Sequence, residues 1–282
     1  MTVRLTLASD AIPGFAAPPA GPRLADAELG AIALADALAV LDLFSAARRS
    51  LSPADIEQAT GWDDYKRNGV INTLLDAGLI APQAEGGAYT VGIRALELAY
   101  AYEHSNPLVE ICTPLMREVR DKVNETVMLA VRWGDYRVNI AQMTSQHPVH
   151  QNVPEGERRA LYVGCGGKIL LAAMTDAEIE QYLDRVPLKR MSPTTTTDRY
   201  RLLHAIQAIR ATGYSETFSD GNEGGAGIGV GIRNGAGRIV AALVVSIPLY
   251  RYRHHLRDQV IQALMRACDE ATERLGGRAS FG

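Results

Sequence analysis

Residues 51–91 read LSPADIEQATGWDDYKRNGVINTLLDAGLIAPQAEGGAYTV, and four local devices follow one another in them. Ser52 can accept a backbone N–H as an N-cap, and Pro53 carries the fixed φ suited to a first helical position, so a short helix is expected over 54–59. Thr60-Gly61-Trp62 breaks it. Asp63-Asp64 then puts negative charge at the start of a second helix, whose apolar residues Val70, Ile71, Leu74 and Leu75 fall at i, i+1, i+4 and i+5. Gly78 stops that helix, and the short apolar runs 79–81 and 88–91 around Glu85-Gly86-Gly87 spell a hairpin. Helix, turn, helix and hairpin make a winged helix-turn-helix, a device that commonly sets its second helix in the major groove of DNA. A helical subdomain making only subunit contacts is the plainer alternative.

Working outward, 282 residues are long for one core and favour two domains. There is no run of eighteen apolar residues, and the N-terminus lacks the basic start and apolar core of a signal peptide, so no membrane partner and a cytoplasmic protein are expected. Cys112, Cys165 and Cys268 are odd in number and far apart, which suits a reducing compartment and offers neither a disulfide framework nor a metal-binding spacing. His147 and His150 flank a proline too closely to make a convincing ligand pair, so neither metal nor cofactor is expected. The formal net charge of −3 exerts no global pull toward nucleic acid, and any DNA contact must come from local charge.

Residues 1–28 hold four of the thirteen prolines and are expected to form a mobile tail. Helical spacing of Ala33, Ala37, Val40, Leu41 and Phe44 predicts a first helix over 29–49, closed by Arg48-Arg49 against its negative C-terminal end. After the wing, 94–104 reads as a linker helix, and Ser105-Asn106-Pro107 as a boundary, because a residue before proline is pushed out of the helical region. The expected layout is a winged helix over 29–92, a linker over 93–106 and a second domain over 107–282. That second domain alternates helices (107–124, 167–173, 176–185, 198–212, 258–275) with strands (126–131, 136–143, 226–232, 238–247), the last two turning at Asn234-Gly235-Ala236-Gly237. The class is α+β, with a sheet between helices and a pocket at a sheet face. Thr194–Thr197 reads as a loop.

Two successions of residues carry a family resemblance. In the first half they are Ala37-Leu38-Ala39-Val40-Leu41-Asp42-Leu43-Phe44, Leu51-Ser52, residues 74–80 and Tyr89-Thr90-Val91-Gly92. The second half adds Asn124-Glu125-Thr126-Val127, Gly156 with Arg158, Gly167-Lys168-Ile169-Leu170-Leu171-Ala172, Gly213-Tyr214 and Gly237-Arg238-Ile239-Val240-Ala241-Ala242-Leu243. From about residue 31 to 275 the chain resembles the IclR family of bacterial transcription regulators. The resemblance implies a GAF-like effector-binding domain joined by a helix to the winged helix. It also implies a homodimer or dimer of dimers, a palindromic double-stranded DNA operator and a small-molecule effector.

The departures from that family bear on both sites. Where it carries a Lys/Ser/Thr run and then an arginine in the recognition helix, this chain has Asp64-Tyr65-Lys66 and then Gly69, and the family's first-helix arginine falls on Asp36. Between Gly30 and Arg94, five basic residues (Arg48, Arg49, Lys66, Arg67, Arg94) face eight acidic ones (Asp36, Asp42, Asp55, Glu57, Asp63, Asp64, Asp76, Glu85), a local charge of −3. DNA affinity rests on phosphate neutralisation, so the module is poorly charged for its task. Tyr65, Lys66, Arg67, Asn68 and Asn72 are the candidate DNA contacts, with a solvated helix face as the alternative. On the effector side the candidates are Tyr162, Gly164, Cys165, Asp220, Gly227, Ile228 and Ser246. Gly227 stands at the family's usual cysteine position within Gly224-Gly225-Ala226-Gly227-Ile228-Gly229-Val230-Gly231, which implies a roomier pocket for a bulkier or flatter ligand; close backbone packing is the alternative.

Gly164-Cys165-Gly166-Gly167-Lys168 precedes a predicted helix, where aligned N–H groups and a lysine would lower a thiol pKa and could make Cys165 a nucleophile; a cysteine serving only as a small residue lining the pocket is the plainer alternative. Two functions are therefore in play. One is a ligand-responsive transcription regulator. The other is an enzyme or ligand-binding protein on the same scaffold, working at the pocket around Cys165.

Overall fold

The structure, a computed structural model, describes residues 27–45, 48–84 and 86–278, so the tail expected over the N-terminal stretch falls almost wholly outside the described residues. The chain divides into two compact units, Met1–Ala101 and Tyr102–Gly282.

In the first unit, α1 (Ala27–Leu41) stops eight residues earlier than the 29–49 helix expected, because the N–H groups of Leu43 and Phe44 turn back onto the carbonyls of Val40 and Leu41. Arg48 therefore does not close α1. It pairs with Asp55 at 2.7 Å. The strand β1 (Ser50–Leu51) leads into α2 (Pro53–Thr60), which opens on a capping box: Ser52 Oγ accepts the Asp55 N–H while the Asp55 carboxylate accepts the Ser52 N–H. Gly61 ends α2 at φ +68°, a left-handed value that glycine adopts without strain. Asp63 caps α3 (Asp64–Asp76) by accepting the Lys66 N–H. Then β2 (Ile80–Pro82) and β3 (Tyr89–Val91) form the expected antiparallel hairpin, and β1 adds to it in the order β1-β3-β2. Val40, Leu51, Ile56, Val70, Ile71, Leu74 and Ile80 form the core of this unit. At the end of the wing a Cβ on Gly92 would lie 2.1 Å from the Gly78 carbonyl oxygen, so strand exit and helix exit are packed backbone to backbone. The helix α4 (Ile93–Ser105) follows.

The second unit is a six-stranded antiparallel sheet with helices on both faces. Asn106 caps α5 (Pro107–Val123), whose end is marked by Asn124 in the left-handed region at φ +49°. The strands β4 (Thr126–Trp133), β5 (Tyr136–Met143), β6 (Arg158–Ala160), β7 (Tyr214–Phe218), β8 (Gly225–Arg233) and β9 (Ile239–Pro248) lie in the order β6-β5-β4-β9-β8-β7. Between β6 and β7 run α6 (Gly164–Ala172), α7 (Asp176–Arg185) and α8 (Arg199–Thr212); α9 (His254–Arg274) closes the described chain. Period-two alternation assigns the faces. Ile228, Val230 and Ile232 with Leu243, Val245 and Ile247 pack against α5 and α9, while Ala242 and Val244 pack with α6, α7 and α8. This is the α+β arrangement expected. The short edge strands β6 and β7 had no clear sequence pattern of their own.

Candidate functional site

The first turn of α6 builds the site. The helix starts at Gly164, three residues earlier than predicted, so Cys165 lies inside its first turn and not before it. Its N-cap, Val163, has no side-chain acceptor, and a helix start leaves N–H groups without partners. Asp220 supplies what Val163 lacks: Oδ2 accepts the Gly164 N–H at 2.7 Å and the Lys168 ammonium at 2.8 Å, and Oδ1 accepts the Thr196 N–H at 3.2 Å. The Asp220 carbonyl in turn accepts the hydroxyls of Thr195 at 2.7 Å and Ser192 at 3.2 Å. Both charges of the Lys168–Asp220 pair are buried, and a buried pair persists only when its remaining polar atoms are satisfied, as they are here. The threonine loop thus wraps a buried carboxylate.

Beside this floor a cleft lies between α6 and the sheet. Gly164, Cys165, Asp220, Gly227 and Ser246 line it, as do Arg137, Arg159, Gln151 and Thr217. Tyr162 and Ile228 are not brought there. Ile228 points to the opposite sheet face, among α5 and α9, because its neighbours Gly227 and Gly229 take the α6 side of β8. The Tyr162 hydroxyl instead bridges the Lys189 N–H and carbonyl, both at 2.9 Å, and fixes the segment after α7.

Cys165 and Gly227 meet face to face. A Cβ built on Gly227 would come within 2.8 Å of the Cys165 sulfur, so the volume freed on the strand is filled from the helix. At this point the cleft is not enlarged, contrary to what the glycine suggested. Nor is the thiol activated: burial pushes Cys165 up to about 11, outweighing the opposing effects of Arg137, Thr217, Gly166 and Lys168. At neutral pH it is a protonated thiol, and Lys168 is committed to Asp220. Cys112 is likewise pushed up, to about 12, by burial.

Two arginines that the sequence reading passed over dominate the electrostatics. Arg159 is paired with Glu157 at 2.8 Å and reaches Asn222 at 3.1 Å. Arg137 is only 7% exposed and donates from Nη1 to Asn139 Oδ1 at 2.6 Å, while its Nε has no partner. Burial lowers Arg137 to about 10, with the neighbouring Arg159 acting in the same direction, so it stays cationic at neutral pH. The signal that could have found it is parity: Arg137 and Asn139 occupy inward positions of β5, where apolar side chains are the rule.

The expected DNA-facing residues separate into two sets. Arg67 is buried, donating to Glu57 at 2.9 Å and to Asp64, and Lys66 bridges to Asp36 at 2.9 Å while lying over the Trp62 ring. Tyr65, Asn68 and Asn72 are exposed on α3, Tyr65 by 91%. The exposed stripe is therefore polar, and its two neighbouring cations are engaged within the unit. Asp36 holds a cation of α3 at the place where the resembled family has an arginine.

With a winged helix, a helix-flanked antiparallel sheet and a cleft at its face, the architecture is that of a one-component regulator. The family model described as the bacterial transcriptional regulator IclR C-terminal domain matches residues 100–273. The Pca regulon regulatory protein of Pseudomonas putida is 30% identical over 246 residues, covering 86% of this chain and 84% of that protein. The transcriptional repressor AllR of Escherichia coli K12 is 27% identical over 225 residues, covering 80% and 83%. Among solved structures, a transcriptional regulator from Rhodococcus sp. RHA1 superposes with a TM-score of 0.75 at 27% identity, covering 86% of this chain and 98% of that one. An IclR homolog from Microbacterium hydrocarbonoxydans, complexed with 4-hydroxybenzoate, has the same fold at a TM-score of 0.74 and 24% identity, covering 86% and 98%. The chain belongs to the IclR family of bacterial transcriptional regulators.

Proposed function

We propose that the α6 cleft is the effector site, and that a small organic molecule bound there changes the affinity of the winged helix for a palindromic operator. The observation that carries this reading is the cleft itself: a concave space at a sheet face, walled by glycines and by Met128, Val153, Ala226 and Val244, with a few polar side chains converging on it, the form taken by small-ligand sites. The 4-hydroxybenzoate complex of the Microbacterium homolog favours an aromatic compound. On this reading residues 29–92 bind DNA, with Tyr65, Asn68 and Asn72 facing the groove, 93–106 link, and 107–282 sense. Asn side chains suit adenine, which they can engage bidentately.

A homodimer or dimer of dimers acting in the cytoplasm completes the proposal. It is supported by the large apolar side chains left exposed on α4 (Ile93 69%, Leu96 65%, Leu98 57%) and on α1 (Leu34 62%, Leu38 52%), since clusters of this kind mark interfaces. No described helix is long and apolar enough to cross a membrane. The test is selection of bound genomic fragments at low salt, with light scattering on the same preparation. An enriched inverted repeat and an even-numbered assembly are expected; no enriched sequence would sink the regulator reading, and a monomer the assembly.

A further inference from the structure

The start of α3 is filled with the protein's own carboxylates. Asp63 accepts the Lys66 N–H at 2.8 Å, and Asp36 of α1 takes the Lys66 ammonium at 2.9 Å. Glu57 and Asp64 take the Arg67 guanidinium. A helix start with its N–H groups, its positive end and two basic side chains is otherwise a place for a phosphate. The two cations are not held alike. Arg67 has a side chain only 10% exposed and two carboxylates on it, so it stays where it is. Lys66 has one carboxylate partner and is 39% exposed, and an ammonium on a flexible four-carbon stem changes partners readily. Two features put that exchange within reach of DNA. Lys66 lies in the first turn of α3, one position from Tyr65 at the head of the exposed row Tyr65, Asn68 and Asn72. One turn along from Lys66 stands Gly69, where an added Cβ would meet nothing within 4 Å, so a phosphate backbone can pass close to the helix there.

We infer that Asp36 is a built-in phosphate surrogate, which competes with the DNA backbone for Lys66 and so sets the strength and salt dependence of the grip on any duplex. The inference rests on residues 29–92 being the DNA-binding unit. While Asp36 holds it, Lys66 neutralises no phosphate and releases no counterion. A duplex that captures Lys66 leaves the half-buried Asp36 carboxylate unpaired beside its own phosphates. Both effects weaken operator and random DNA alike, because phosphates carry no sequence information. Base reading by the polar row is untouched, so a larger share of the remaining affinity depends on sequence. Asp36 thus acts on selectivity through Lys66, without contact to a base.

The experiment measures binding of the full chain to a random-sequence duplex, and to the inverted repeat recovered by genomic selection, by fluorescence anisotropy over a series of salt concentrations. The variants are Asp36→Asn, Asp36→Ala, Lys66→Gln, the double variant Asp36→Asn/Lys66→Gln, and Asp76→Asn, which removes an equal charge at the far end of α3. Thermal melting followed by circular dichroism shows which of them are folded. Releasing Lys66 should steepen the salt slope by about 0.9 for each winged helix engaged. Both Asp36 variants should therefore bind more tightly than the wild type at low salt, and lose about 3- to 4-fold of that gain per winged helix between about 50 and 200 mM salt. The steeper slope is expected on both duplexes, is absent from Asp76→Asn, and disappears in the double variant, which has no lysine to release. Lys66→Gln alone should keep the wild-type slope. An unchanged slope in the Asp36 variants, a steepening that survives in the double variant or is confined to the operator, or a slope that falls by about one in Lys66→Gln would each overturn the inference. The lysine variant answers the question from the other side if the substitutions at 36 fail to fold. Wild type and variants that bind neither duplex at low salt defeat the DNA-binding reading itself, whereas wild-type binding that is indifferent to Asp36 defeats the surrogate alone.

Discussion

At position 227 a side chain is missing from the strand, and at position 165 one has been added to the facing helix, so the sulfur reaches the same space from the other side. A Cβ on Gly227 would stand 2.8 Å from the Cys165 sulfur, closer than such atoms tolerate. Gly227→Ala should therefore destabilise the protein by about 1–3 kcal/mol through overpacking. Cys165→Ala in the same chain should restore most of the loss, because it removes the atom being struck. Chemical denaturation of the wild type, both single variants and the double variant measures this as a coupling energy of about 1 kcal/mol or more. Additive losses would mean that the two positions do not share the space. The same pair explains why the glycine run misled at the sequence level: the glycine was legible, but its complement lies 62 positions earlier and on another element.

At the scale of the element, local signals were read well and long-range ones were not. The caps of α2 and α3, the wing and the hairpin at Asn234 follow from nearest-neighbour rules, and the sequence displays those rules directly, whereas the faces of β8 did not emerge and Ile228 is grouped with Gly227 although the two point to opposite sides. The end of α1 was misjudged because its stop is made by backbone turns at Leu43 and Phe44, with no glycine or proline to announce it. Arg67 was misjudged because its partner Glu57 sits on α2, where it draws the cation inward. The recognition element should accordingly behave as a polar reader. Arg67→Ala should cost about 1 kcal/mol of stability through lost packing of its stem, its acidic partners being exposed and screened. It should leave the slope of log affinity against log salt unchanged. Asn68→Ala or Asn72→Ala should weaken operator binding while sparing non-specific binding. A salt slope that falls by about one with Arg67→Ala would place that arginine on a phosphate after all.

The capping boxes add a pH dependence. Asp55 is held below the ordinary carboxylate range, first by hydrogen bonds from the Ser52 side chain and backbone; in a second capping box, where Thr175 caps α7, Glu178 is held low in the same way, first by the Thr175 N–H and then by its hydroxyl. Groups whose folded pKa is depressed contribute stability that is complete above their unfolded pKa, about 4, and lost as pH falls through the folded value. Asp55→Asn should therefore lower stability at neutral pH, and its difference from the wild type should shrink as the solution is taken below about pH 4. A difference that stays constant across that range, followed by denaturant unfolding, would refute the box.

For the whole molecule, the class of each unit and the family were readable because both rest on periodicity and on motifs spread over most of the chain. The chemistry of the cleft was not readable, because Arg137, Arg159, Cys165, Asp220 and Ser246 come from five separate stretches that the sheet order alone brings together. Asp220 has one more consequence, and it concerns time. The groups that donate to this residue belong to Gly164, Lys168, Ser192, Thr195 and Thr196, between 24 and 56 positions away in the chain. Those separations are shorter than the 110 to 120 positions that the β4–β9 pairing spans, so loop closure alone does not delay this knot; a carboxylate buried among five donors gains from them only once α6, the 192–196 segment and the loop after β7 are all in place, and the knot is therefore expected to tie late. On that expectation the floor of the cleft is completed late when the chain folds and opens early when the domain loosens. Those are the moments at which a ligand lodged above it can most readily hold the domain shut.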